Sequence, residues 1–437
     1  MEIYPNIVKN KLNSLIVEMS ANPGLYVKQP GIDFTRERKL PFGTVMQSLI
    51  SMGGNSIYKE LLASNGFDPN TATTSAFVQA RDKLLPGAFE HLLHEFTRSY
   101  SKVKTYRGYR LLACDGSDLH IPTNPEDTET YYPNTNDQSG YNLLHINALY
   151  DLCNRLYVDT VIQPSKKENE KKALVDMVDR SIIDDKAIII ADRNYESYNI
   201  FAHIEQKGWN YLIRVKDIDS NGILSGLNLP TTDEFDIIVN RVLTRRQTNY
   251  IKANPDIYRF MPSNSTFDFL PLRSKDYYPI LFRIVRIKIS EGCFQTIITN
   301  LGQDDFPPNE IKELYRKRWG IETSFRDLKY TVGLLNLHSK KREYIIQEVY
   351  ARIIMYNFVE MITSHIIISK FDTKHAYKVN FSVALHVCKS FLRRLDNISS
   401  PVVEAIIRKN ILPIRTGKSA KRVFSVKTNV SFIYRIA

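Results

Sequence analysis

The sequence predicts an α/β protein whose mixed-sheet core is interrupted by a β-strand insertion and flanked by helical regions at both ends. Three patterns predict it. Apolar residues recur at helical spacing over the first hundred residues and again beyond Lys341. Between about residues 110 and 216, short β-prone runs give way to alternating helical and strand-like ones, and residues 217–302 are strand-rich again. At 437 residues the chain exceeds one typical domain, and two or three are expected.

Taken in order, "VMQSLI", "IYKELLA", "SAFVQARDKLL" and "AFEHLLHEF" carry the helical spacing, with no β-like alternation among them. After "YRGY" come three strand candidates, "RLLACDGS" at 110–117, "HINALYDL" at 145–152 and "LYVDTVIQP" at 156–164. A polar helix follows, "ENEKKALVDMVDRSI", and then "AIIIADRNY", an apolar run that reads as a buried strand ending at Asp192. A helix, "SYNIFAHIEQKG", is closed by Gly208 and leads to the strand "NYLIRVK". The insertion supplies "IIVNRVL", "ILFRIVRIKI" and "FQTIITNL" before Pro307 and Pro308 open a charged helix, "YRKRWGIETSFRDLK", at 315–329. Helices resume in "YIIQEVYARIIMYNFVEMI" and "SVALHVCKSFLRRL".

Charge narrows the class of partner. A net charge of +12 suggests a polyanion, nucleic acid first and an anionic membrane surface second. From Arg408 onward there are Arg408, Lys409, Arg415, Lys418, Lys421, Arg422, Lys427 and Arg435 but no acid, a basic tail suited to DNA. Cys114, Cys153, Cys293 and Cys388 are scattered without a Cys-x-x-Cys pair, against a zinc ribbon or a disulfide framework, so free thiols in a reducing cytoplasm are expected. "MEIYPNIVKNKL" lacks a secretory signal pattern and "FVEMITSHIIISK" is too short and polar to span a bilayer, so neither export nor membrane insertion is expected.

Within 315–329, Tyr315, Arg318, Glu322 and Lys329 are spaced by three, four and seven residues and fall on one helical stripe. Leu314, Ile321, Phe325, Leu328 and Val332 form a second, apolar stripe. Arg318 and Glu322 as a simple surface ion pair is the plain alternative. Asp115 and Asp192 each follow the apolar end of a predicted strand, where functional groups of open sheets gather. If those strands are neighbours the two aspartates meet. Three carboxylates together need a cation, and Mg²⁺ with its preference for oxygen suits them for phosphoryl transfer. Arg318, Lys329 and Tyr315 would then hold phosphate. "CDGSD" is also good turn sequence and leaves Asp118 as an alternative ligand, and Asp192 could cap the following helix.

These residues carry a resemblance. Tyr315, Arg318, Glu322 and Lys329 match the Tyr-x2-Arg-x3-Glu-x6-Lys signature of one group of bacterial insertion-sequence transposases of the DDE type, inside a wider "IKELYRKRWGIETSFRDLK". "ACDGSDL" resembles the family's first aspartate segment and "ADRNY" the second, usually Asp-Arg-Gly-Tyr, with Asn194 replacing the glycine. Asparagine tolerates a left-handed backbone there. The resemblance is strong over about 110–335, weaker in "FTRERKLPF" and "TSAFVQAR", and faint in the last hundred residues.

The resemblance implies a ribonuclease-H-like core in residues 106–216 and 303–340, interrupted by a β-strand insertion domain at 217–302. It also implies a helical DNA-binding region at 1–105, with a helical C-terminal region and basic tail at 341–437. It implies that Asp115, Asp192 and Glu322 bind two Mg²⁺ or Mn²⁺ ions and that Tyr315, Arg318 and Lys329 grip DNA phosphates. The activity implied is cleavage at terminal inverted repeats, through a hairpin intermediate, and strand transfer into target DNA by a homodimer in the synaptic complex, in the bacterial cytoplasm at the nucleoid. Arg36, Arg38, Lys39 and Arg81 are candidate phosphate contacts of the N-terminal helices. Trp319 or an aromatic of the insertion could hold a flipped base, although packing is the commoner role. His94, His120 and His203 read as structural. A nuclease of the same superfamily without strand transfer, or an inactive DNA-binding relic, is the alternative.

Overall fold

The computed structural model describes residues 4–36, 38–134, 140–218, 220–366, 376–393 and 399–414. One large mixed sheet runs through it, built from β1 (Arg110–Ile121), β2 (Tyr131–Tyr132), β3 (Tyr141–Asp151), β4 (Leu156–Pro164), β5 (Ala187–Ala191), β6 (Asn210–Val215), β7 (Phe235–Thr244), β8 (Tyr258–Phe260), β9 (Tyr277–Ser290) and β10 (Cys293–Thr299). Its order is β2-β3-β1-β5-β6-β10-β9-β7-β8, with β4 also paired to β3. β1, β5 and β6 run parallel, and β3 lies antiparallel to β1 and β4 antiparallel to β3. Every residue of β5, "AIIIA", is buried, as expected of a central parallel strand covered on both faces.

Helices cover both faces. The N-terminal body contains α1 (Tyr4–Ala21), α2 (Phe42–Ser51), α3 (Ile57–Ser64), α4 (Thr74–Asp82) and α5 (Pro86–Arg98). On one side of the sheet, α6 (Glu170–Arg180) and α7 (Tyr198–Gln206) bury Leu174, Val178 and Phe201 against Leu112, Cys114 and Ile189. α8 (Asn249–Ala253) is a single short turn in the insertion. On the other side, α9 (Pro308–Lys317) packs Ile311 and Leu314 against Leu111, Ile188 and Ile190. The period-2 alternation of the strands thus assigns neighbouring residues to opposite cores. The chain continues through α10 (Trp319–Arg326), a π-helical turn at Asp327–Val332, α11 (Arg342–Thr363), α12 (Phe381–Leu392) and α13 (Ser400–Lys409), with a small ribbon of β11 (Tyr377–Val379) and β12 (Ile411–Pro413).

The expected order of strands and helices is the observed one, with three refinements. The helix expected over 315–329 is broken at Arg318, where i→i−3 bonds from Arg318 N to Tyr315 O (3.0 Å) and from Ile321 N to Arg318 O (3.1 Å) tighten the turn. At Gly320 a Cβ would lie 2.8 Å from Leu152 Cδ2, so the glycine lets α10 approach the β3–β4 turn without moving that side chain. Second, the strands of 217–302 extend the core sheet directly, β10 pairing with β6. Third, the N- and C-terminal helices share one core: Leu12, Leu49, Leu92 and Phe96 pack with Ile353, Ile354 and Phe358 of α11, whose residues are buried all round.

That shared core corrects one expectation. Arg81 is 1% exposed and bonds Glu348 Oε1 (2.9 Å), Gln347 Oε1 (3.2 Å) and Tyr344 O (2.9 Å), so it joins α4 to α11 and is not a DNA contact. A buried guanidinium needs such partners, and here they come from more than 260 residues away. Arg36, Arg38 and Lys39 are exposed. Of the basic tail, Arg408 and Lys409 close α13, and Arg415, Lys418, Lys421, Arg422, Lys427 and Arg435 lie outside the described residues. Among the described residues no helix is long and apolar enough to cross a membrane.

Candidate active site

β1 and β5 pair in parallel from Arg110–Ala187 to Cys114–Ala191. Asp115 and Asp192 are the next residues beyond that pairing, so they stand side by side, Asp115 within β1 and Asp192 just past the carboxyl end of β5, about 4.8 Å apart in backbone spacing. β5 stops there, while β1 runs on to Ile121 against β3. The break leaves Asp115 to Asp118 half-buried in an otherwise buried strand. Asp192 Oδ1 accepts the Asn194 N–H (2.9 Å) and caps a 3-10 turn at Arg193–Tyr195. Asn194 is therefore within a right-handed turn, and the left-handed backbone expected at this position is not used.

Glu322 arrives from α10. The Arg318 guanidinium bridges it to Asp115: Nη2 lies 2.6 Å from Glu322 Oε1 and Nη1 lies 3.4 Å from Asp115 Oδ2. All three side chains are largely buried, at 12% exposure for Arg318, 22% for Asp115 and 20% for Glu322. Burial raises the Asp115 carboxyl to about 6, with Asp192 and Glu322 adding to the rise and Arg318 and the Gly116 N–H opposing it. Tyr315 is buried, its ring 5.9 Å from the Arg318 guanidinium; burial raises its hydroxyl, and the charges of Arg318, Arg214 and Asp192 also reach it. Lys329, on the π-helical turn, donates to Ser117 Oγ (2.7 Å) and Asp118 O (2.6 Å), and burial lowers its ammonium below the ordinary value.

Asp115, Asp192, Tyr315, Arg318 and Glu322 thus meet in one notch, Lys329 reaches β1 two and three residues further along, and the Asp118 side chain lies elsewhere. It lies across the sheet, with Oδ1 2.9 Å from His145 Nδ1. His145 is also 3.1 Å from Glu168 Oε2 and 3.0 Å from Glu170 Oε1. Burial alone would depress this imidazole, but Asp118, Glu170 and Glu168 outweigh it and raise it to about 9. Gly116 allows the packing: a Cβ there would be 2.3 Å from Glu170 Oε1 and 2.4 Å from His145 Nε2. Sequence reading missed this cluster, whose one visible signal is the glycine between two acids in "CDGSD".

The plain alternative for Trp319 is overturned, since its side chain is 57% exposed and not core packing. His94 bonds Asp159 (2.8 Å) and His203 sits between Asp179 (3.0 Å) and Asp268 (2.9 Å). Among the described residues, all four cysteines are free thiols; Cys114 and Cys388 are buried, whereas Cys293 is exposed.

The family model described as "Transposase DDE domain" matches residues 106–358, more than half of the chain. The chain belongs to the DDE transposase family. Over 56 residues it is 41% identical to "Transposase InsG for insertion sequence element IS4" of Escherichia coli (strain K12), a stretch that is 12% of this chain and 13% of that protein. Only that small part of the relative's length is matched. Among solved structures, the "Cryo-EM structure of piggyBac transposase synaptic complex with hairpin DNA (SNHP)" aligns with 96% of this transposase-family chain and 87% of its own at 12% identity, with a TM-score of 0.46.

Proposed function

We propose that this DDE-family protein binds the terminal inverted repeats of an insertion sequence and catalyses metal-dependent DNA cleavage and strand transfer, through a hairpin intermediate and as a homodimer on the paired ends. The observation that carries the reading is the meeting of Asp115 in β1, Asp192 after β5 and Glu322 on α10, with a guanidinium bridging Asp115 and Glu322. Such a cluster suits divalent cations, because three carboxylates share one guanidinium, and burial, with Asp192 and Glu322 adding to it, pushes Asp115 up to about 6, a penalty that a bound cation would offset. On this reading the three carboxylates hold two Mg²⁺ or Mn²⁺ ions. Those ions, when bound, supply activation of the attacking oxygen and stabilisation of the leaving one.

The chain's own residues do the rest. Asp115 and Asp192 are fixed by strand register, and Glu322 is placed by the packing of Ile321 and Phe325 in the core beneath it. Arg318 and Tyr315 stand beside the carboxylates to hold phosphate oxygens. Lys329 uses two of its three donors on Ser117 and Asp118, which locks the π-helical turn to β1 and leaves one for phosphate. The order β4-β3-β1-β5-β6, with β1, β5 and β6 parallel, supports a ribonuclease-H-like core at 106–216 and 303–340. Residues 217–302 are then the insertion, 1–105 the DNA-binding helices and 341–437 the C-terminal helices and tail.

The test is incubation of the purified protein and Mg²⁺ with a duplex carrying the inverted repeats that flank its gene, comparing wild type with Glu322→Ala. Hairpin and joined products that vanish in the variant are expected. Cleavage without joining would indicate a nuclease of the superfamily, and binding without cleavage by either protein an inactive relic.

A further inference from the structure

We propose that a cationic pocket between the catalytic strand ends and the insertion is a binding site for a backbone phosphate of DNA. The inference rests on the transposase reading above and adds to it a contact outside the signature residues. The cavity encloses about 350 Å³, at the lower end of ligand-sized pockets, and is lined mainly by polar atoms.

Four cations converge from separate elements. Lys171 comes from the first turn of α6, Arg193 directly follows Asp192, Lys216 directly follows β6, and Arg259 comes from β8 of the insertion. Against them stands one acid of the lining, Glu196, whose two carboxylate oxygens are taken by the backbone N–H groups of Lys216 (2.9 Å) and Ile223 (2.6 Å). Glu196 therefore builds the wall and offsets part of the charge, chiefly at Lys171, so four cations against one acid leave the pocket net positive. Lys171 donates to the Glu196 carbonyl (2.8 Å), and burial and the charge of Lys216 depress its ammonium while Glu196 raises it. Arg259 in turn bears on the buried Arg241, which holds the Ile223 carbonyl (2.8 Å) behind the pocket.

A set of like charges held this close is unfavourable in isolation, and an anion offsets it. The pocket's lining also offers Ser197, Ser265 and Thr266 as neutral donors, which suit a phosphate oxygen and need no base identity. Arg193 ties the pocket to the reaction: DNA that reaches Asp192 passes the residue beside it. The occupant is thus a sequence-independent phosphate contact that positions the strand, with its partner cations split between core and insertion.

The experiment is fluorescence anisotropy of the full chain at several salt concentrations with two duplexes, one bearing the inverted repeat and one unrelated, comparing wild type with Lys216→Ala/Arg259→Ala. Affinity should fall about tenfold or more, and the log–log salt slope should shrink by about 1–2, as for the loss of one or two phosphate contacts. A loss on both duplexes is the result expected of a general backbone contact, and a loss on the inverted repeat alone overturns a sequence-independent one. If the double variant does not fold, Lys216→Gln alone at an exposed position should give the same sign with a slope change near 1. Unchanged affinity and slope overturn the pocket while leaving the transposase reading intact. An equal loss from Lys252→Ala/Lys275→Ala, exposed cations elsewhere on the insertion, also overturns it, since the attraction is then diffuse. Wild type that binds neither duplex removes the reading beneath it.

Discussion

At the scale of single residues, Arg318 holds the candidate site together without metal. It is the charge between Asp115 and Glu322, and its removal leaves two largely buried carboxylates beside a third. Arg318→Met should therefore destabilise the metal-free protein by about 1–3 kcal/mol, the cost of losing a partner for buried polar groups. Mg²⁺ should restore more of the melting temperature in the variant than in wild type. Thermal unfolding with and without Mg²⁺ measures both; no Mg²⁺ response in either protein would count against a cation site here, and an equal response would show that Arg318 does not substitute for the cation. Gly116 makes a separate prediction. In Gly116→Ala the methyl meets a flexible Glu170 carboxylate, which can move, and a buried His145 ring, which is held by Asp118. A loss of about 1–3 kcal/mol is expected from overpacking, read by chemical denaturation; no change would show that the ring yields freely. Legibility follows the same division. Asp115, Asp192 and Glu322 were readable because each follows an apolar strand run or lies on a spaced helix, whereas His145 and Glu170 carry no local pattern and meet only when α6 packs on the paired β1 and β3.

Among elements, α4 and α11 show how an ion pair ties distant segments. Arg81 and Glu348 are both buried, and Glu348 also accepts from His338 N (2.9 Å). Burial would raise the Glu348 carboxyl, but Arg81, His338 and Arg352 outweigh it and lower it to about 2. The sign follows from linkage. A carboxyl depressed in the folded state contributes stability above its unfolded value, about 4.3, and that stability is lost as pH falls toward about 2. Arg81→Ala should cost about 3–5 kcal/mol at neutral pH because it strands a buried carboxylate. Adding Glu348→Gln should recover part of that loss and flatten the acid limb, and denaturant midpoints across pH 2–6 test both. The strands and helices were legible from periodicity, because apolar runs such as "AIIIA" have one good environment. The break at Arg318 was not, since both halves keep helical spacing and the tightened turn shows only in its i→i−3 bonds.

For the whole molecule, linear order and physical units part company. Residues 1–105 and 341–437 read as separate helical regions, yet Leu12, Leu49, Leu92 and Phe96 from the first share a core with Ile353, Ile354 and Phe358 from the second. No sequence window could reveal this, because α11 is buried nearly all round, polar residues included, and its partners lie more than 200 residues earlier. The consequence is testable. A fragment of residues 1–105 buries Arg81 without Glu348 and exposes the apolar faces of α2 and α5 that α11 covers. It should not fold cooperatively alone, and should show a broad thermal transition by circular dichroism with poor amide dispersion. Co-expression with residues 341–414 should restore a cooperative transition, since those residues carry the missing face. A fragment 1–105 that folds alone with a sharp transition would show that the shared core is dispensable, and would make the N-terminal helices an independent module able to move relative to the candidate site.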